Sequence, residues 1–259
     1  DIVSRYGLTP LVGREQEVGL LLDRWQQAKS GEGQVVLLNS APGLGKSRLV
    51  HALKEHLRDE AYTRLECRSS PYFMNSALYP MTDFLQRMLR FQRDETPEQK
   101  LEKLTEHLSQ YRLPLDETVP LFGSLLSLPL PQEQYPPLTW SPQRQRQKTL
   151  ETIVAITLEV SQWRPVLFIL EDLHWVDPTT LELLDLLIEQ TPTASLCVLL
   201  TCRPEFQPKW SHRSYLSEMS LNRLSYTQIE QLVTQVVGGK MLATDLIQRL
   251  VDKTDGVPL

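Results

Sequence analysis

The sequence is poor in the features that would commit it to a membrane, a secretory route, a metal cage or a nucleic acid. No apolar run along its 259 residues approaches the roughly 20 residues of a membrane span. No charged-then-apolar secretory leader follows Asp1. Cysteine is scarce: Cys67, Cys197 and Cys202 stand at no metal-binding spacing and leave an odd thiol. That usage fits a reducing cytoplasm, the expected location. The five histidines are scattered, and none pairs into a ligand motif. Positive charge is in deficit, and a net charge of −5 removes the electrostatic footprint of a nucleic-acid binder. What remains, 41% hydrophobic and 23% charged, reads as a globular chain. It is long enough for one large α/β domain or a core plus a small lobe.

Against that background one stretch stands out, Ser40-Ala41-Pro42-Gly43-Leu44-Gly45-Lys46-Ser47. It follows the apolar run Val35 to Leu38 and precedes a helical pattern from Arg48 to Lys54. Strand, glycine-bearing loop, Lys-Ser and helix is the context a phosphate-binding P-loop requires. Gly43 and Gly45 let backbone N–H groups close around a phosphate with no Cβ in the way. The helix beginning near Lys46 aims its positive dipole end at the anion. Lys46 can reach terminal phosphates, and the Ser47 hydroxyl can ligate Mg²⁺. Ser40 departs from the usual pattern, which has Gly there. Should that position need positive φ, a serine is strained.

A second apolar run, Val166 to Leu170, ends in Glu171-Asp172. Continuous apolar runs suit strands buried on both faces of a parallel sheet. Acids at the carboxyl end of such a strand fall where open α/β sheets bind ligands. We assign Glu171 to the metal and Asp172 to the attacking water, a Walker B arrangement. Asp177-Pro178 reads separately, as N-cap and first-turn proline of a helix over 179–188. A third run, Leu196 to Leu200, ends in Thr201-Cys202-Arg203-Pro204, so Arg203 should emerge on the same edge and meet γ-phosphate charge. His174 follows the acids and is expected to pack against Trp175.

Elsewhere, an amphipathic helix runs from about Glu15 to Lys29, with Val18, Leu21, Leu22 and Trp25 at helical spacing. A strand is expected over 62–67, an irregular segment from Ser69 to Pro80, and helices over 81–91, 97–111 and 143–162. Between 114 and 142 prolines are frequent. Pro129-Leu130-Pro131 and Pro136-Pro137 are expected to break regular structure, so about 112–142 reads as an elaborated insertion. A short edge strand over 218–221 and helices over 227–237 and 242–253 complete the pattern. The expected division is 1–33, an N-terminal segment and helix; 34–222, the core with its insertion; and 223–259, the start of a helical lid.

In order, Leu11-Val12-Gly13-Arg14-Glu15, the loop ending Gly-Lys-Ser-Arg-Leu, Leu170 to Pro178, Thr201 to Pro204 and Gly256-Val257-Pro258-Leu259 resemble the STAND class of AAA-related P-loop ATPases. The subgroup is the ATPase module that follows class III adenylate/guanylate cyclase domains in bacterial signalling proteins. Ser70-Pro71-Tyr72 and Asn75 to Pro80 are similar to that subgroup too. The resemblance implies an α/β three-layer fold, with a parallel five-stranded sheet, a helical insertion and the start of a helical lid. It implies ATP/ADP and Mg²⁺ as ligands. Pro42, Gly43, Leu44, Gly45, Lys46, Ser47 and Arg48 would hold the nucleotide. Val12, Gly13 and Arg14 would border adenine and ribose, with Pro258 on the base from the other side. Arg203 would be the sensor arginine. Such proteins act as nucleotide-controlled switches with an effector domain, often a cyclase, before the module and a helical-repeat sensor after it. Neither is present, so the chain looks like a fragment. A nucleotide-dependent homo-oligomer is a further expectation. Ser40 and Ala41 replace the family's usual Gly-Glu, and Glu171 replaces its commoner Asp. Three other functions remain open: a nucleotide-binding scaffold without turnover, a DNA-loading ATPase sharing the core, and a P-loop kinase.

Overall fold

In the computed structural model, residues 11–210, 213–237 and 244–258 are described. Leu259, Leu242 and the first ten residues, all touched on above, lie outside them. Helix α1 (Glu15–Lys29) leads into strand β1 (Gln34–Asn39) and helix α2 (Lys46–His56). Then come β2 (Thr63–Arg68), α3 (Tyr79–Met88), α4 (Pro97–Leu108), α5 (Leu115–Leu125) and α6 (Pro142–Trp163). Strand β3 (Val166–Glu171), helix α7 (Pro178–Gln190), β4 (Leu196–Cys202), β5 (Leu216–Ser220), α8 (Tyr226–Val236) and α9 (Thr244–Thr254) follow.

The five strands form one parallel sheet in the order β2-β3-β4-β1-β5. The apolar runs become its three central strands, because only a strand covered on both faces can afford no polar alternation. Their residues divide by parity. Val36, Leu38, Leu167, Ile169, Cys197 and Leu199 pack under α1 and α2. Val35, Leu37, Phe168, Leu170, Val198 and Leu200 pack under α3 to α7. That gives three layers, helices on both faces of a sheet, as expected. The 218–221 stretch is an edge strand, β5, shifted to Leu216–Ser220.

Helix starts are written locally. Asp177 caps α7 by accepting from the Thr180 N–H at 2.9 Å. Thr96 and Gln99 form a capping box on α4. Proline occupies the first turn of α3, α4, α6 and α7, where its missing N–H costs nothing.

Within the insertion, where prolines are frequent and the sequence delimits no helix, Leu115–Leu125 is helical with Pro120 inside it. Val119, Leu121 and Phe122 are buried in the main core, and this burial outweighs the bond that Pro120 removes. Thr118 also donates from its hydroxyl to the Pro114 carbonyl at 2.7 Å, tying down the first turn. The prolines from 129 to 137 do lie outside any helix or strand, and Tyr135 packs on the core from there.

Candidate functional site

The P-loop leaves β1 at Asn39 and turns into α2 at Lys46. Gly43 and Gly45 sit at φ of 80° and 97°, the left-handed region that a side chain resists. A Cβ on Gly45 would meet nothing within 4 Å, so its glycine is required by backbone conformation, not space. Ser40 is not left-handed, so it carries none of the strain a serine there could have had. Its carbonyl accepts from Lys46 Nζ at 2.6 Å, and the Ala41 carbonyl accepts at 3.2 Å. Burial pushes the Lys46 pKa below its ordinary value, with the nearby Asp172 charge opposing.

Across the sheet edge stand the acids. Ser47 Oγ donates to Glu171 Oε2 at 2.6 Å, joining two motifs 124 residues apart. Asp172 adopts φ 64°, ψ 45°, unusual for a non-glycine residue and tolerated best by Asp or Asn. Its N–H donates to Thr201 Oγ1 at 3.0 Å, and its carboxylate pairs with Arg68 Nε at 3.0 Å. Two neighbouring strands therefore hold this strained residue. Arg203 emerges one residue past β4, with its guanidinium 4.9 Å over the Trp175 ring. His174 packs on Trp175, ring centroids 4.3 Å apart, as expected. Burial, then the Arg203 charge, lowers its pKa, and neither ring nitrogen has a partner among the described residues.

A third part adjoins the loop. A cleft of about 60 Å³ is lined by Leu11, Val12, Arg14, Leu44, Gly45, Arg48, Leu224, Leu232 and Pro258. Residues from both ends of the chain thus meet beside the P-loop. Arg14 is buried, and its guanidinium donates to the carbonyls of Leu44 at 3.2 Å and Asn222 at 2.6 Å. It ties the N-terminal segment to the loop and to the stretch after β5. Gly13 has φ 66°, and a Cβ there would run into the Gln228 side chain of α8. Pro42 lies in the exposed part of the loop.

The donor set suits a small hard cation. A serine hydroxyl and a carboxylate in direct contact offer the oxygen ligands Mg²⁺ takes. Among the described residues no group of three or more His, Cys, Asp or Glu side chains could cage a metal alone. A cation held by Ser47 and Glu171 would need its other ligands from water and phosphate, which is how Mg²⁺ usually binds.

Sequence reasoning missed Arg68, Thr201 and Asn222. Arg68 carried a usable signal, because it ends β2 on the edge where Glu171 ends β3, and their register pairs them. Asn222 carried none, since it contributes a backbone oxygen.

A family model described as AAA ATPase domain matches residues 10–199. An uncharacterized protein of Rhizobium meliloti (strain 1021) is 24% identical over 255 residues, 96% of this chain. The chain spans about a quarter, 24%, of that relative's length. Among solved structures, Drosophila ORC bound to DNA superimposes at a TM-score of 0.53 with 15% identity, covering 97% of this chain and 54% of that one. The E. coli MS115-1 HORMA:CdnC:Trip13 complex gives 0.51 with 12% identity, covering 94% and 74%. At these identities the likeness concerns the fold, which is the α/β P-loop architecture expected.

Proposed function

This chain belongs to the AAA ATPase domain family, and from that premise we propose that it is an ATP/ADP-binding regulatory module. It acts as a nucleotide-controlled switch in a signalling protein, with slow Mg²⁺-dependent hydrolysis of ATP. The observation that carries this reading is the 2.6 Å contact between Ser47 and Glu171, which brings the phosphate loop and the acidic strand end together.

Ser47 and Glu171 would hold the cation, which would supply neutralisation of the terminal phosphates. Lys46 and Arg203 bring positive charge to the same oxygens. Asp172 orients the attacking water and accepts its proton. Its pairing with Arg68 competes with that task and accounts for slow turnover. Val12, Gly13, Arg14 and Pro258 border the base and ribose. Because Gly13 abuts Gln228 and Pro258 lines the same cleft, the bound nucleotide would be felt by α8 and the segment after it. That is the coupling a switch needs. The core at 34–222 and the lid from 223 would be its moving parts, within a cytoplasmic protein. An effector domain, of which a nucleotide cyclase is one candidate, a helical-repeat sensor and further copies of the chain would read the result.

The test is thermal unfolding with ADP, with ATP plus Mg²⁺, and with neither, for wild type and Lys46→Ala. A ligand at about 100 times its Kd stabilises the fold by roughly 2.7 kcal/mol. The expected result is that shift in wild type and its loss in Lys46→Ala. Equal curves for folded wild type with and without nucleotide would refute the reading. Turnover unchanged in Asp172→Asn would refute the assignment of that residue.

A further inference from the structure

A second cavity, of about 500 Å³, lies far from the phosphate loop in sequence and is used by none of the chemistry above. Strand β2 forms its floor through Thr63 and Leu65, and helices α3, α4, α5 and α6 wall it. The volume falls within the range of small-molecule pockets, about 300–1,000 Å³.

The lining is mostly apolar, with Phe84, Met88 and Ile156 among its residues, and also carries the hydroxyls of Thr63 and Thr157. Methionine side chains adapt to irregular shapes, which suits a variable apolar guest. Two of the polar lining side chains, His107 and Tyr111, are paired with each other, Tyr111 oxygen to His107 Nε2 at 3.1 Å. Both half-buried rings are held towards their neutral forms by burial. Trp163 is 52% exposed and stacks parallel to Tyr111, ring centroids 5.7 Å apart. An aromatic plate left half in water beside a mostly apolar cavity favours a guest that covers it.

One charged residue lines this cavity, Arg164, directly after Trp163. Arg164 is exposed, and its guanidinium makes no ion pair with a carboxylate among the described residues. No carboxylate lines the cavity. Glu159, whose charge reaches Tyr111, is engaged by the Arg112 N–H at 3.1 Å and 3.2 Å.

We propose that this cavity is a binding site for a small amphipathic carboxylate, its apolar body between β2 and α6 and its carboxylate on Arg164. A mostly apolar lining with a single cation, Arg164, is complementary to that chemistry and repels a cationic guest. Strand β2 runs from this floor to Arg68, the partner of Asp172, so the site sits at the far end of a strand that reaches the acidic edge.

The experiment titrates the chain with the fluorescent aromatic sulfonate 1-anilinonaphthalene-8-sulfonate and displaces it with decanoate or with uncharged decanol. The expected result is one saturable site, with decanoate displacing the probe roughly three- to tenfold better than decanol. Arg164→Gln should erase that preference and leave decanol unchanged. Ile156→Trp, which fills the cavity, should abolish displaceable binding. Met88→Phe gives the same readout if Ile156→Trp does not fold. Absence of a saturable site, undiminished binding in a folded cavity-filling variant, or an unchanged preference in Arg164→Gln would each overturn the proposal.

Discussion

On one face of the sheet, two helices close tightly; on the other, a longer set leaves room. Helices α1 and α2 press on Val36, Leu38, Leu167 and Leu199 around Trp25, which is 0% exposed. Trp25 meets Tyr62 edge-on at 5.3 Å and donates from its ring nitrogen to Glu60 at 3.0 Å. This is the face that carries the phosphate loop into α2. Opposite it, α3 to α6 arch over β2 and enclose the 500 Å³ cavity. The contrast shows two uses of one sheet. A loop whose amides must meet an anion within tenths of an ångström needs a rigid support. A face on which no loop must hold an anion can tolerate a void.

Trp25→Ala tests the rigid face and has the largest expected effect, about 3–5 kcal/mol of lost stability in urea unfolding. Asp177→Ala comes next, at about 2 kcal/mol by the same measurement. It removes the α7 cap and strands the Leu78 N–H, which Asp177 Oδ1 accepts at 3.1 Å. Met88→Ala, beside the existing void, should cost only about 1 kcal/mol, because half-buried Met88 gives up little packing there. A cost equal to that of Trp25→Ala would break the comparison between the faces.

The smallest effect is a pH slope from His107. Burial holds its pKa below the ordinary 6.5, so just below that pH the unfolded chain binds more protons than the folded one. Stability from this group is therefore whole above 6.5 and is lost as pH falls through the folded value. His107→Gln should flatten the fall in melting temperature between pH 7 and 5. An unchanged slope would remove His107 from the account and leave His174, also lowered, as its source.

Legibility followed the range of the physics. Local rules gave the P-loop junction, because glycine permits the positive φ that Gly43 and Gly45 adopt and leaves the backbone open to a phosphate. They gave Asp177 as a cap, since its partner Thr180 is three residues away. They did not delimit Leu115–Leu125, a helix with Pro120 inside it that long-range burial of Val119 and Phe122 holds. Ser40 read as a source of strain because the sequence shows residue type but not φ.

By itself the sequence determined the strands, the helix starts and the two motif ends at one sheet edge, since periodicity, capping and chain order are properties of neighbours. Only the tertiary structure decided that Ser47 would reach Glu171, that Arg68 would hold Asp172, and that Arg14 would bind carbonyls 30 and 208 residues away. It also decided that β2 and α3 to α6 would line a cavity with Arg164 in its wall. Each of these depends on how separate elements lie against one another, and no pattern within one element encodes it.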